Sequence, residues 1–236
     1  MKRALAALQF LTLLGRFNGP PVTPREIGRA AAYFPLVGIG LGVGLSVFNR
    51  VLEAYLASEI LSIALVTTLA IATGAIHLEG LQRTFDRVPI GARFGIKSDS
   101  GGNLGLIAVV LVVLFKVNSL EAIGEARNLS LVLAPTLARW GLVIFLYGST
   151  SAVEEPAKTI AAQLKAWQLI LATVIALGLT AFMAGRTGLW IALWVSLFAL
   201  LSRTVVQRHR AGPTYHHLGA LVETNEALSL VAFTIL

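Results

Sequence analysis

The chain contains no cysteine and few charged residues. Without cysteine it forms no disulfide, thiolate metal site or cysteine nucleophile, so carboxylates, histidines and hydroxyls must carry any chemistry. Charged residues make up 13% of the 236 residues, against roughly 25% in an ordinary soluble domain, and 56% are hydrophobic. The mean hydropathy of +0.78 agrees with this excess. The composition therefore excludes an ordinary soluble domain and predicts an integral membrane protein.

Several signatures of common function classes are also missing. The sequence has no GxSxG nucleophile elbow, no P-loop and no HExxH helix, and it shows no internal repeat. The formal charge of +7 does not indicate nucleic-acid binding, because membrane proteins collect Lys and Arg on their cytoplasmic side. We therefore expect no nucleic acid among the partners.

The apolar segments predict an all-α fold, a polytopic membrane helical bundle with six to seven transmembrane helices in one integral membrane domain, 1–236. A span needs about 20 mostly apolar residues. The predicted helices are 30–49, 57–77, 103–117, 129–147, 168–184 and 188–202, with a last one from about 218 to the C-terminus. The opening MKRALAALQFLTLLG has the charge pattern of a signal peptide but no small-x-small cleavage site, so we predict an interfacial or half-membrane helix there.

The positive charges are distributed unevenly between the two sides of this arrangement. The N-terminal segment and the even-numbered loops hold fourteen Lys and Arg residues, and the other side holds four, Lys116 among them. This bias predicts a multi-pass protein of the cytoplasmic (inner) membrane, with the N-terminus and the polar loops 78–103 and 203–226 in the cytoplasm.

The first predicted span carries a glycine at every second position from 38 to 44. Gly38, Gly40, Gly42 and Gly44 leave one surface of the helix nearly bare. Such a surface permits close approach by another helix, and we favour packing over a ligand passage as its purpose.

The segment HLEGLQRTFDR, 77–87, is the first candidate site. If it continues the second span as a helix, Glu79, Arg83 and Asp86 fall at i, i+4 and i+7 on one stripe. Two carboxylates there can bind a divalent cation that also grips a phosphate. Alternatively, Arg83 pairs with both carboxylates and neutralises the helix face. The segment alone leaves both interpretations open.

A second polar segment, GIKSDSGGNLG, precedes the third predicted helix. Asp99 can cap that helix or reach towards Glu79 and Asp86. Backbone amides at a glycine-rich helix start also suit phosphate oxygens. Lys97 can bind a phosphate or mark the cytoplasmic side, so this segment is a candidate phosphate site.

The third polar segment, RHRAGPTYHHLGALVETNE, opens the last predicted helix. His216 and Glu223 lie seven residues apart and share a face, and His216 can ligate a metal, relay protons or lie at the interface. Arg139 lies midway along the fourth predicted span. A cation at that depth is costly and usually faces a partner or a polar cavity, so Arg139 is also a site candidate.

Taken together, these segments resemble the cobalamin synthase family, the adenosylcobinamide-GDP ribazoletransferases. The similar stretches run through nearly the whole chain in order: LQFLT at 8–12, YFPLVGIGLG at 33–42, HLEGLQRTFDRV, DSGGNLG, ARW at 138–140 and GPTYHHLGALVETNE at 212–226. The resemblance implies a polytopic membrane enzyme that joins adenosylcobinamide-GDP to α-ribazole or its 5′-phosphate and releases GMP, with Mg²⁺ or, alternatively, Mn²⁺.

The resemblance also implies partners and site residues. The expected partners are the corrinoid nucleotide and ribazole substrates and membrane lipid, and a homo-oligomer stays open. Glu79, Asp86 and Asp99 would be metal-binding and catalytic acids, with His77 as a further catalytic residue. The expected substrate-binding residues are Lys97, Ser100, Arg83, Arg139, Thr214, His216 and Glu223.

The chain departs from the family's motifs at several charged positions. The first motif resembles HxDGxxDxxDG, and here Glu79 replaces the first Asp, Arg83 the second and Arg87 the final Gly. The second motif is a residue shorter and lacks its Arg. In the third, Tyr215 and His216 stand where Gly and Asp are expected. Arg83 cannot ligate a metal, although it can contact a diphosphate, and His216 would favour Zn²⁺, Mn²⁺ or Fe²⁺ over Mg²⁺.

Two other functions stay open at this point. One is a non-catalytic or impaired relative that keeps the fold and binds corrinoid or a partner. The other is a membrane transporter whose passage is lined by Arg139 and the polar loops, although the sequence shows no inverted repeat.

Overall fold

Every regular element in the described part of the chain is a helix, which confirms the all-α prediction. The structure is a computed structural model, and it describes residues 2–14, 20–87, 103–149, 155–209 and 212–235. The helices are α1 (Lys2–Leu11), α2 (Pro24–Ala30), α3 (Phe34–Leu52), α4 (Ser58–Ala72), α5 (Ile76–Asp86), α6 (Leu104–Ala122), α7 (Arg127–Leu146), α8 (Glu155–Gln163), α9 (Ala166–His209) and α10 (Tyr215–Ile235). Short 3₁₀ turns precede α3 and α7.

Five of the described helical segments are long and apolar enough to cross a membrane, or six if α4 and α5 form one bent span. They are Pro24–Leu52, Leu104–Ala122, Gly124–Leu146, Ala166–Arg208 and Tyr215–Ile235. The protein is therefore a multi-pass membrane protein. The last helix begins at Tyr215, three residues before its predicted start, and runs unbroken through the polar residues that it needs to reach spanning length.

The longest segment, α9, is interrupted near its middle. Gly185 has φ 53° and ψ −132°, outside the helical region. A methyl group on Gly188 would lie 2.7 Å from Thr180 Cγ2. In a continuous straight helix the two residues would be about 12 Å apart along the axis, because each residue adds about 1.5 Å. The chain therefore turns back at Gly185 between two halves, each about the length of one span. Among the described residues, counting the two halves of α9 separately and α4 with α5 as one span gives seven spans, within the predicted number.

The predicted helix 57–77 ends early, and this corrects the expectation that HLEGLQRTFDR continues the second span. Gly74 and Ala75 adopt left-handed conformations, with φ 64° and 54°. Left-handed residues interrupt the i to i−4 hydrogen bonds of a helix. Helix α5 consequently leaves the axis of α4 at 88°. HLEGLQRTFDR thus forms a separate short helix that keeps the predicted stripe.

Helix α7 lies at the centre of the bundle. Nearly every residue from Ser130 to Leu146 is buried, and the helix contacts α3, α9 and α10. The outer helices α6 and α9 instead expose large apolar side chains, among them Leu111, Phe115 and Trp194. Water-soluble proteins rarely expose apolar surface of this extent, so these faces fit contact with lipid.

Two of the four glycines in α3 bring it against α7. A methyl group on Gly38 would lie 2.7 Å from Thr136 Cα, and one on Gly42 would lie 2.6 Å from Val132 Cα. Gly40 and Gly44 have open space instead. The predicted packing role is therefore confirmed for Gly38 and Gly42 only.

The different surroundings of the four glycines predict that replacing them with alanine has opposite effects on stability along α3. Gly38→Ala or Gly42→Ala should lower the unfolding free energy by about 1–3 kcal/mol, because α3 and α7 must separate. Gly40→Ala and Gly44→Ala are the matched controls and should raise it by up to about 1 kcal/mol through helix propensity. Thermal unfolding of the four variants in one detergent measures this. Equal effects at all four positions would contradict the packing role.

Candidate active site

The first and third polar segments meet where α5 crosses α10. A methyl group on Gly80 would lie 2.9 Å from Gly219 Cα and 2.9 Å from the carbonyl oxygen of His216. One on Gly219 would lie 3.0 Å from the carbonyl oxygen of His77. A side chain at either glycine would force the two backbones apart. The bare surfaces of these glycines therefore bring together residues that are far apart in the sequence.

A cavity of about 230 Å³ lies at this crossing. It brings together the predicted site residues His77, Glu79 and His216. The lining residues come from α1, α5, α7 and α10: Phe10, Ile76, His77, Glu79, Gly80, Leu142, Tyr215, His216, Leu218 and Gly219. His77 is buried, whereas just over half of the Glu79 side chain is exposed. The cavity thus combines imidazole groups and a carboxylate with apolar walls.

Arg83 pairs with one of its two neighbouring acids. Its Nη2 lies 2.6 Å from Glu79 Oε1, one helical turn away, and both side chains are more than half exposed. An exposed pair of this kind is weak. The described contacts include no ion pair between Arg83 and Asp86. Arg83 therefore neutralises Glu79 and does not bridge both carboxylates.

Asp86 makes a different contact, with the start of α6. Its Oδ1 accepts a hydrogen bond of 2.8 Å from the backbone N–H of Gly105. The first N–H groups of a helix have no partner within the helix, so a carboxylate there is stabilising. Asp86 thus fastens the end of α5 to the beginning of α6.

Lys97, Asp99 and Ser100 lie outside the described residues, so their predicted roles stay predictions. Among the residues that are described, no group of three or more His, Asp or Glu side chains could hold a metal ion. Glu79 and Asp86 each already have a partner, Arg83 and Gly105. These two acids alone do not fit a magnesium site.

Thr214 lies just before the first turn of α10. Its N–H donates a 2.9 Å hydrogen bond to Nδ1 of His217, and its hydroxyl lies 3.0 Å from the same nitrogen. The backbone N–H of His217 donates in turn to the carbonyl of Thr214. Thr214 thus holds the start of α10 next to the cavity, and its predicted substrate contact is untested.

Arg139 and Glu223 lie in a buried group of four charges, which we call the charge network: Lys116, Arg139, Glu223 and Glu226. Lys116 Nζ lies 2.5 Å from Glu223 Oε2 and 2.5 Å from Glu226 Oε2. Arg139 Nη1 pairs with Glu226 Oε1. Neither Arg139 nor Glu223 lines the cavity at the crossing of α5 and α10, and their predicted substrate contacts stay predictions.

Sequence reasoning assigned Lys116 wrongly and did not include Glu226 in the site. The predicted helix 103–117 places Lys116 at its end, among the cations of the connecting segments, but α6 continues to Ala122 and buries Lys116. A cation and an acid within apolar helices should pair. That signal was present in the sequence, but it did not identify which helices are neighbours.

Comparison with known proteins gives a consistent result. A family model described as cobalamin-5-phosphate synthase matches residues 3–234. A relative from Syntrophobacter fumaroxidans is 36% identical, over 96% of this chain and 95% of its own length. One from Pseudomonas paraeruginosa is 36% identical, over 100% and 98%, and one from Geotalea daltonii is 29% identical, over 95% and 94%. All three are named adenosylcobinamide-GDP ribazoletransferase. No solved structure matches.

The contact between Asp86 and α6 predicts a graded loss of stability. Asp86→Ala should lower the unfolding free energy by about 0.5–2 kcal/mol, because the Gly105 N–H loses its acceptor. Asp86→Asn is the matched control and should lose less, since its amide oxygen can still accept. Thermal unfolding in detergent compares the two, and an Asp86→Ala variant as stable as the parent would contradict the capping contact.

Proposed function

The chain belongs to the cobalamin-5-phosphate synthase family, and on this premise we propose that it joins adenosylcobinamide-GDP to α-ribazole or its 5′-phosphate and releases GMP. It is a membrane transferase of late cobalamin biosynthesis. The observation that carries the proposed site is the cavity where His77, Glu79 and His216 meet. These residues come from the two segments in which the resemblance to the family includes altered acids.

The reaction is a phosphoryl transfer. A ribazole hydroxyl attacks the phosphoryl group attached to cobinamide, the bond to the second phosphate breaks, and GMP leaves. The hydroxyl must lose a proton, and the transferred group and GMP carry negative charge. A base near the hydroxyl and cations near the phosphates would therefore assist. His77 and His216 are the candidate bases, and Arg83, which pairs with the lining residue Glu79, is a candidate phosphate contact.

The size of the cavity limits which part of the substrates it holds. Its volume of about 230 Å³ is below the roughly 300–1,000 Å³ of common small-molecule pockets. A second cavity, of about 360 Å³, shares Phe10 and Tyr215 with the first and is also lined by Pro20 and Pro21. We propose that the reacting groups occupy the smaller cavity and that apolar parts of a substrate extend towards the larger one.

We propose a divalent ion, Mg²⁺ with Mn²⁺ as the alternative, held by Glu79, Asp86 and Asp99. When bound, it would polarise phosphate oxygens and offset their charge. Supporting the proposal, α5 presents Glu79 and Asp86 on one helix, and Asp99 lies four residues before Asn103, close in sequence to the Gly105 that Asp86 caps. The pairing of Glu79 with Arg83 opposes it, because the metal must compete with the guanidinium.

We further propose the cytoplasmic (inner) membrane as the location, with the site facing the cytoplasm. Lys and Arg residues of α2, α5, α8 and the C-terminal end of α9 support this orientation. The burial of Lys116 within α6 removes one of the four cations from the opposite side, which strengthens the bias. Substrates would then enter from the compartment that makes nucleotides.

The proposed activity is tested by release of GMP. Purified protein in detergent or lipid nanodiscs receives adenosylcobinamide-GDP with α-ribazole or its 5′-phosphate, and Mg²⁺ or Mn²⁺. We expect GMP and a corrinoid product in equal amounts. His216→Ala and His77→Ala should each lower kcat by about 10²–10⁴-fold if the imidazole acts as the base. Gly178→Ala, whose position has open space around it, is the control.

Two negative results of this assay would each support one of the alternative functions. Corrinoid binding without GMP under any ion would refute the transferase and support an impaired relative. Uptake of unchanged substrate into sealed vesicles would instead support the transporter.

The pairing of Glu79 with Arg83 predicts a change in the metal requirement. Arg83→Ala should release Glu79 and lower the Mg²⁺ concentration for half-maximal rate by about 2–5-fold, as expected for loss of an exposed ion pair. Arg87→Ala removes the same charge four residues further along and should leave that concentration within about 2-fold, because screening weakens the effect of a more distant exposed charge. Metal titrations of GMP release check both. Equal shifts in the two variants would contradict a specific role for Arg83.

A further inference from the structure

The charge network lies inside the bundle and joins three helices. Lys116 belongs to α6, Arg139 to α7, and Glu223 and Glu226 to α10. All four residues are at least 96% buried. Its two cations and two carboxylates give a formal charge of zero. Buried charges persist where they are paired, so each member depends on the others.

The two acids have different partners. Glu226 uses both oxygens, Oε1 with Arg139 and Oε2 with Lys116. Glu223 forms one described ion pair, with Lys116 at 2.5 Å, and its attraction to Arg139 acts over a longer distance. The Lys116–Glu223 pair can therefore be removed while the pair of Arg139 and Glu226 remains, and the net charge of the network stays unchanged.

Glu223 lies one helical turn beyond Gly219, at which α10 crosses α5. Three contacts thus close a ring of three helices, α5, α6 and α10, of which α5 and α10 line the candidate site. Asp86 joins α5 to α6 at Gly105, Gly80 joins α5 to α10 at Gly219, and Lys116 joins α6 to α10 at Glu223. A shift of α10 along its axis would break the third contact and move His216 relative to His77.

We infer that Lys116 and Glu223 are positioning residues: their buried ion pair fixes α10 against α6 and thereby sets His216 opposite α5 across the cavity. This inference rests on the proposed function and replaces direct substrate contact as the role of Glu223. Two observations support this role. Lys116 and Glu223 are buried and do not line the cavity, and their ion pair completes the ring of three helix contacts. Arg139 serves the pair indirectly, since it neutralises the carboxylate of Glu226 and leaves Lys116 to balance Glu223.

The test removes the pair while keeping the charge balance. Lys116→Met combined with Glu223→Gln should lower kcat for GMP release at least about 10-fold, because displacing reacting groups by 1 Å can cost about 100-fold. The KM for adenosylcobinamide-GDP should stay within about 3-fold, since a positioning fault affects the reacting geometry more than substrate binding. Lys116→Arg with Glu223→Asp keeps an ion pair and should recover most of the lost rate.

A matched control separates positioning from general loss of stability. Arg127 and Glu121 form another ion pair between α6 and α7, at 4.0 Å, and do not involve α10. Arg127→Met with Glu121→Gln likewise removes one cation and one carboxylate from the protein. We expect its kcat to stay within about 2-fold of the parent, as for an ion pair remote from the reacting groups. An equal loss of kcat in this control would overturn the inference.

A second readout does not depend on activity. Because the chain has no cysteine, Gln82→Cys and Ile235→Cys would carry the only two spin labels, one at an exposed position of α5 and one at the exposed end of α10. The distance between the labels should be narrowly distributed in the parent and shifted or broadened when Lys116 and Glu223 are replaced. An unchanged distance distribution together with parental kcat would overturn the inference. A raised KM with unchanged kcat and distance would show substrate contact by Glu223 and would also overturn it.

The two proposals fail in different ways. A parent that releases no GMP refutes the proposed function. The label distances still report whether Lys116 and Glu223 hold α10. A parent that is active, with a double variant equal to it in rate and distance, refutes only the positioning role.

Discussion

Close contact between helix backbones at glycine is the constraint on which this structure depends. Lipid chains are as apolar as the side chains, so helices in a membrane gain little from burying apolar surface and associate through fit. Helix α3 meets α7 at Gly38 and Gly42, and α5 meets α10 at Gly80 and Gly219. The cavity lies directly at the second crossing. A larger residue at either crossing glycine would separate the walls that carry His77 and His216.

Much of the fold could be predicted because membrane helices are long and uniform. Apolar runs located the spans and the polar segments between them, and the stripe of Glu79, Arg83 and Asp86 is present on α5. The bend before α5 could not be predicted, since it depends on Ala75 in a left-handed conformation that alanine rarely adopts. The Lys116–Glu223 contact also escaped prediction, because the order of helices in the bundle is not encoded in any local pattern.

Contacts with neighbouring residues determine what the motif residues of the candidate site can do. Glu79 contacts Arg83, the residue that stands in place of a family aspartate, so the cation introduced at one altered position neutralises the acid at the other. Asp86, which matches the family pattern, holds α6 through Gly105. An acid that matches the motif can thus support the geometry of the candidate site whether or not it touches a metal. His216 and Glu79 occupy one cavity, so changes in two distant segments meet in a single environment.

The hydrogen bond between Asp86 and Gly105 also affects how the chain between α5 and α6 can vary in length. It holds the end of one helix at the start of the next, so both attachment points of that connection stay together whatever its length. Loop-closure entropy grows slowly, by about 0.6 kcal/mol for each doubling of length. A connection anchored in this way can gain or lose a residue while the helices keep their places. The second motif can therefore be shorter than the family pattern at little cost to the fold.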